Sequence, residues 1–341
     1  MGAATNDYTF ADMASHVRGF QVAKMLQVAV ALDLADIVGD ESILVGDLAQ
    51  ACSADAPMLL RLCRALAAFN IFAVDAEGRI SHTPHSRWMR RAARPTLHHA
   101  AGYWTMPGVW AAWGNLEQTI RTGAPAFETT HGLPYFDYLN SHPQQAHLFD
   151  SFMQHSPDDR HAAVVEAYDF SGASLIVDIG GGNGALIAAV LEANATVRGV
   201  LFDQDLVVAG AGSILGGNAG RCRIDPGNFF DSVSAGGDIY LLSQILHDWN
   251  DERSISILRN CRAAMGPAAR LLVIERVLDP EPGKSDPMSF LADMHMMVLF
   301  PGARERTLIE YGRLFQQAGF GEAHLIPTRS SFSIVETRPS G

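Results

Sequence analysis

At 341 residues, with 48% hydrophobic and 18% charged side chains, the chain is longer than the usual single domain and has ample material for a core. That balance excludes a disordered protein and makes two domains the expectation. The formal net charge of −12 has the wrong sign for nucleic-acid binding, which relies on basic surface to displace counterions from phosphates.

The charge is unevenly spread. Residues 1–100 hold nine Lys or Arg against ten Asp or Glu, so residues 101–341 carry about −11. No run reaches the roughly 18 apolar residues of a membrane span, and the opening MGAATNDYTF lacks the pattern of a signal peptide. A cytosolic protein that does not enter membranes is expected. Cys52, Cys63, Cys222 and Cys261 are scattered without a CxxC and read as buried thiols. There is no HExxH, and the adjacent His98 and His99 cannot supply two ligands from one helix face, so no metal is expected.

Residues 10–38 carry a largely apolar helical pattern, with Val17, Phe20, Met25, Val28, Ala29, Leu32 and Leu34 near helical spacing. So apolar a stretch needs a cover, from its own domain or from a second copy of the chain. Helices are expected around 45–52 and 56–69, the second behind Ser53 and Asp55 as candidate caps. Residues 71–83 read as two strands joined at Glu77-Gly78. Helix, helix and hairpin suggest a winged helix. Arg79, Arg87, Arg90, Arg91 and Arg94 form a basic cluster there, but the second helix offers a DNA groove only Arg61 and Arg64, so the wing reads as structural. Residues 101–165 are helices and loops rich in aromatics, Trp104, Trp110 and Phe152 among them, which build core or wall a flat ligand.

From Ser174 onward strands and helices alternate, the signature of a parallel sheet covered by helices. Candidate strands are 175–178, 197–203, a short one near Cys222, 238–243 and 270–275. Two more, 322–327 and 331–336, are separated by three residues, whereas a parallel crossover needs about a dozen, so these must pair antiparallel. The expected class is α/β, a doubly wound sheet that finishes in a hairpin.

Within it, LIVDIGGGNG at 175–184 is a strand that runs into a glycine loop, followed by the helical ALIAAVLEA. Glycines let the backbone approach a ligand, and the N–H groups that open a helix can bind its polar part. The loop does not name its cofactor. Gly180, Gly182 and Ala185 satisfy GxGxxG/A, and Asp203 at the end of the next strand can hold a ribose, both compatible with a nicotinamide dehydrogenase. Asp178 before the glycines, the GGGNG form, the final hairpin, and PGNFF followed by YLLSQILHDWNDE shift the balance.

With these motifs in order over nearly its whole length, the chain resembles the S-adenosylmethionine-dependent O-methyltransferases that include the plant caffeic-acid enzymes and bacterial antibiotic-tailoring enzymes. The resemblance implies a dimerising winged-helix domain over 1–100, a helical linker over 101–165 that contributes to the substrate pocket, and a class I methyltransferase domain over 166–341. It implies S-adenosylmethionine as cofactor, an aromatic small molecule as acceptor, and a homodimer. Gly180, Gly182 and Asp178 would serve the amino-acid part of the cofactor and Asp203 its ribose. Asn228 and Phe229 would lie at the adenine, with Ser243 at the rim and Trp249 also on the cofactor side. The family usually has Asp where Asn228 stands, and an Asn carbonyl can still accept from the adenine amino group. Phe152, Met153, Asp293, Met294 and Met297 would face the acceptor.

Methyl transfer from a sulfonium asks the protein to position an acceptor oxygen and remove its proton. A neutral imidazole, ordinarily with a pKa of about 6.5, suits a phenol of pKa near 10. His247 lies just past the strand 238–243, at the carboxyl end of the sheet. Glu275 ends the following strand, where its carboxylate can hold the imidazole tautomer. Glu305 in GARERT matches the family's second carboxylate, although by its neighbours Arg304 and Arg306 alone it reads as part of a solvated charge cluster. Two other readings stand beside this one: a nicotinamide-dependent dehydrogenase, and a winged-helix regulator that senses a metabolite without catalysis.

Overall fold

In the computed structural model, which describes residues 9–155 and 159–341, the chain forms two units, 9–110 with 142–155 and 111–141 with 159–341. The stretch 101–165, expected as one linker, is thus divided between them.

In the first unit the apolar run 10–38 is three helices, Phe10–Val17, Gly19–Ala31 and Leu34–Val38. The chain leaves helical geometry at Arg18 (ψ 2°) and turns left-handed at Asp33 (φ 52°). Helices Val45–Ala51 and Ala56–Ala68 follow. Asp55 caps the second by accepting from the Met58 N–H at 3.0 Å, whereas Ser53, the other candidate cap, takes φ 53° and makes the preceding turn. Strands β1 (Ile43–Leu44), β2 (Phe72–Val74) and β3 (Arg79–His82) form an antiparallel sheet in the order β1-β3-β2, the wing expected from the helix–helix–hairpin pattern. Leu34, Leu48, Cys63, Leu66, Phe72 and Ile80 fill the core beneath. The basic cluster is partly tied down by this unit itself: Arg90 pairs with Asp40 at 2.7 Å, Arg91 with Asp33, and Arg94 donates to the carbonyls of Arg91 and Ala93.

The second unit is built on β4 (Leu175–Ile179), β5 (Arg198–Asp203), β6 (Cys222–Pro226), β7 (Ile239–Ser243), β8 (Arg270–Glu275), β9 (Val277–Leu278), β10 (Arg306–Thr307), β11 (His324–Pro327) and β12 (Ser333–Thr337). Seven of these make one sheet in the order β11-β12-β8-β7-β4-β5-β6. β4 to β8 run parallel, and β12 is antiparallel to both β8 and β11, with Leu325 opposite Val335. The closing turn is longer than expected because Thr328 bonds the Phe332 carbonyl at 2.6 Å and holds 328–332 out of the ladder. Both faces are buried, which is why the central strands read as continuous apolar runs. Ile176, Leu241, Leu272 and Ile274 pack on one side with helix Ala185–Ala193, and Val177, Leu242, Leu271 and Val273 on the other with helices Asp251–Ala264 and Leu308–Ala318. Glu275 continues the second face at the carboxyl edge. A separate parallel pair, β9 with β10, sets Arg306 opposite Val277 and so carries residue 305 to that same edge. Of the cysteines, Cys63, Cys222 and Cys261 are buried and Cys52 is only half-buried.

Candidate active site

The carboxyl ends of β4, β5, β7 and β8 converge on one rim. At β4 the chain enters the glycine loop, whose Gly180 (φ 65°) and Gly182 (φ 61°) need the left-handed region. The loop is held from below: the Gly180 N–H donates to the Phe202 carbonyl at 2.7 Å, and the Gly182 N–H to Asp203 Oδ2 at 2.9 Å. Asp203 therefore buttresses the loop as well as standing at its mouth, and its second oxygen accepts from the Gln204 N–H. Asp178 is fully buried, and a Cβ on Gly181 would lie 2.7 Å from its carboxyl carbon. Burial and the neighbouring Asp203 push Asp178 up to about 7, partly offset by the Ile187 N–H. The carboxyl group thus lies buried directly under Gly181.

Beside the loop stand Phe229, Phe230 and Trp249. Phe230 and Trp249 meet edge-to-face at 4.7 Å, and the Arg253 guanidinium lies over both rings, 4.1 Å from the first and 4.6 Å from the second. Asn260 holds the Phe229 carbonyl at 2.9 Å. Asn228 is exposed, accepting from the Phe230 N–H and donating to Asp231, so its carbonyl has one lone pair to offer a further donor. Ser243 is half-buried at the last position of β7. Sequence reasoning misses Phe230 and Arg253, although the double aromatic in PGNFF is an available signal for the first.

Past Ser243 the chain turns sharply, with Gln244 left-handed at φ 54°, into a short 3-10 turn that carries His247. The carboxylates divide their work differently from the expectation. Glu275 Oε1 accepts from the backbone N–H groups of Ile245, Leu246 and His247 at 3.1, 3.0 and 3.4 Å, so it anchors the turn. Its other oxygen lies 3.5 Å from His247 Nδ1. Glu305 Oε1 is nearer, 3.0 Å from His247 Nδ1, and stands where Glu275 was expected to meet the ring. Nor is Glu305 solvated: it is buried, and Arg304 and Arg306 pair with Asp251 instead. Asp248 Oδ1 lies 3.4 Å from Nε2.

These charges move His247 far from an ordinary imidazole. Burial alone would lower its pKa, but Glu275, Glu305 and Asp248 outweigh burial and raise it to about 10. Burial raises Glu275 to about 7 against the pull of His247, and Asp248 to about 6 in the same way. The imidazole is thus far more basic than the expected value of about 6.5.

On helix Pro287–Leu299, Met294 and Met297 are half-buried. Asp293 accepts from the Glu305 N–H at 2.9 Å, which ties it to the carboxylate that holds His247. His295, with Asp293 a polar member of the segment expected to line the acceptor pocket, is buried on this helix and accepts at Nδ1 from Trp113 Nε1 at 3.2 Å. An indole only donates, so Nε2 carries the proton of the neutral ring, and burial followed by the charge on His247 lowers His295 to about 4. Phe152 and Met153 belong to the first unit, where Phe152 stacks on Tyr103 at 4.6 Å. Among the described residues two sets have donor atoms within 4.8 Å of one another, as a metal ion would need: His247, Glu275 and Glu305, and Asp33, Asp36 and His98. Each already has a cation among its carboxylates, His247 in the first and Arg91 in the second.

A doubly wound sheet closed by an antiparallel hairpin, a glycine cradle at β4 and a buried imidazole–carboxylate set at β7 and β8 define a class I methyltransferase. A family model of the O-methyltransferase domain matches residues 113–321, and one of the O-methyltransferase dimerisation domain matches residues 14–91. The chain belongs to this family of S-adenosylmethionine-dependent O-methyltransferases. It is 39% identical to a phenazine O-methyltransferase of Lysobacter antibioticus over 95% of this chain and 94% of the relative. It is 38% identical to the O-demethylpuromycin-O-methyltransferase of Streptomyces alboniger over 95% and 87%. A solved O-methyltransferase of neocarzinostatin biosynthesis, in complex with S-adenosylmethionine and 2-hydroxy-5-methyl naphthoic acid, superposes with a TM-score of 0.78 at 31% identity, covering 93% of this chain and 96% of that one. The cofactor is S-adenosylmethionine, and the nicotinamide and non-catalytic readings give way. Among the described residues no helix is long and apolar enough to cross a membrane.

Proposed function

We propose that this enzyme methylates a phenolic hydroxyl on a flat aromatic secondary metabolite, with His247 as general base and with two copies of the chain paired through the first unit. The observation that carries the base assignment is the 3.0 Å bond from His247 Nδ1 to Glu305. With Nδ1 committed as donor, Nε2 of the neutral ring is the acceptor of the hydroxyl proton. The phenazine and naphthoic acid in the relatives' names are flat aromatics, and Met294 and Met297 offer polarisable, adaptable contact to such a ring.

Bound S-adenosylmethionine supplies a methyl group already activated on a sulfonium. The loop from Gly180 to Gly184 would hold its amino-acid part, with Asp178 buried directly under Gly181. Asp203 would accept from the ribose hydroxyls, Asn228, Phe229 and Trp249 would take the adenine, and Ser243 would stand at the rim. The loop fits such a guest, because a Cβ at Gly182 would meet no atom of the chain within 4 Å and the outer side of the loop is open. Incubating the enzyme with isotopically labelled cofactor and a panel of hydroxylated phenazines and naphthoates, beside aryl amines and aliphatic alcohols, tests the acceptor class. Label on a phenolic oxygen is the expected product by mass spectrometry; label only on nitrogen or on aliphatic oxygen would overturn the phenolic assignment.

The dimer is supported by the matching dimerisation domain and by the first helix, where Phe10, Met13 and Val17 form an apolar stripe that is 90%, 62% and 66% exposed. Light scattering at micromolar concentration is expected to give twice the chain mass. A clean monomer there would remove the second copy from the proposal.

A further inference from the structure

The segment 304–306 grips the His247 turn at four points. The Arg304 N–H donates to the His247 carbonyl at 2.9 Å, and Glu305 takes the imidazole. The Arg306 guanidinium then donates through Nη1 to the Leu246 carbonyl and through Nη2 to the Trp249 carbonyl, each at 2.7 Å. These two carbonyls bracket His247 in the chain. Arg306 is fully buried, and its carboxylate partner, Asp251, is half-exposed at 2.9 Å. A buried cation is costly unless its donors are all directed, and only the planar fork of arginine reaches two carbonyls and a carboxylate at once. Ser254 Oγ, 3.3 Å from both carbonyls, closes the same network.

We propose that Arg306 is a positioning residue for His247: its fork fixes the turn at both sides of the imidazole and so sets where Nε2 meets the acceptor hydroxyl. The proposal rests on His247 being the base. Because the Trp249 carbonyl is one of the two gripped, the same clamp fixes the aromatic cluster beside the glycine loop, and the base and the cofactor side are held by one side chain. Lysine keeps the charge but has no fork, so Arg306→Lys leaves a carbonyl without its donor and the turn free to shift.

A double-mutant cycle with Arg306→Lys and His247→Asn, rates taken per folded molecule by circular dichroism, tests this. Misplacing a reacting group by about 1 Å can lose 100-fold, so Arg306→Lys is expected to lower kcat about 10- to 100-fold with a smaller change in acceptor KM. In the double variant that loss should vanish into the loss from His247→Asn, since a turn without its base gains nothing from being held. Should Arg306→Lys fail to fold, Asp251→Asn loosens the fork from its half-exposed side, and a smaller loss, again absent on the His247→Asn background, is expected. Wild-type kcat in the Arg306 and Asp251 variants, or losses that multiply in the double variants, would overturn the positioning role alone. Full turnover by His247→Asn would instead sink the base reading and the positioning role with it.

Discussion

Replacing His247 by asparagine lowers kcat on a phenolic acceptor by about 10²- to 10⁴-fold, the usual contribution of a general base, while S-adenosylmethionine still binds within a few-fold of normal. Asparagine can keep a hydrogen bond to Glu305, so the turn survives and only the proton acceptor is lost. The raised pKa of about 10 makes the imidazole basic enough to take the proton of a phenol without an uphill transfer. It also means that the free enzyme holds His247 protonated at neutral pH. The sign follows: one proton must leave the enzyme–phenol pair before methyl transfer, so log kcat/KM should climb with pH between about 7 and 9, with a slope near one. Stopped assays with labelled cofactor give the rates, and calorimetry gives cofactor affinity. Normal turnover of a phenol by His247→Asn would remove the base, and a flat wild-type profile would remove the need for proton loss. A carboxylic acid acceptor, already ionised, should tolerate the substitution.

The sheet was legible because its chemistry is repeated in the central strands: two buried faces demand continuous apolar runs, and β4, β5, β7 and β8 were expected to within two residues at either end. The Asp55 cap was legible for a local reason, a carboxylate three residues before a free N–H. What the sequence hid is long-range. The β9–β10 pair is two residues a side, too short to leave a periodic signal, yet it delivers Glu305 to an imidazole 58 residues away. For the same reason Arg306 read as surface charge. Three ionisable residues in a row look solvated until the fold shows which carbonyls they reach. The exchange of tasks between Glu275 and Glu305 was equally hidden, since strand position places a carboxylate at the rim without saying whether backbone or imidazole meets it first. The breaks at Arg18 and Asp33 were missed because the apolar spacing runs on through both, although Gly19 beside the first and Asp33 itself are poor helix formers.

Gly180→Ala is expected to weaken S-adenosylmethionine binding by at least about tenfold and to lower kcat as well, the second effect being the more informative. The left-handed φ of 65° costs any Cβ about 1–2 kcal/mol. The new atom would lie 2.4 Å from Ile245 Cδ1 and 3.1 Å from its Cγ1. Ile245 opens the turn that Glu275 anchors and that carries His247, so displacing it transmits the clash from the cofactor loop to His247. Gly182→Ala separates the two effects. It has a similar φ of 61° but no chain atom within 4 Å of the added Cβ, so it should disturb the cofactor's side of the loop and leave the His247 turn where it is. Calorimetry with S-adenosylhomocysteine and turnover at saturating cofactor read the two losses apart. A kcat loss in Gly180→Ala that saturating cofactor does not restore, absent from Gly182→Ala, is the expected pattern. Equal behaviour of the two variants would mean that the loop and the base turn are not mechanically joined through Ile245.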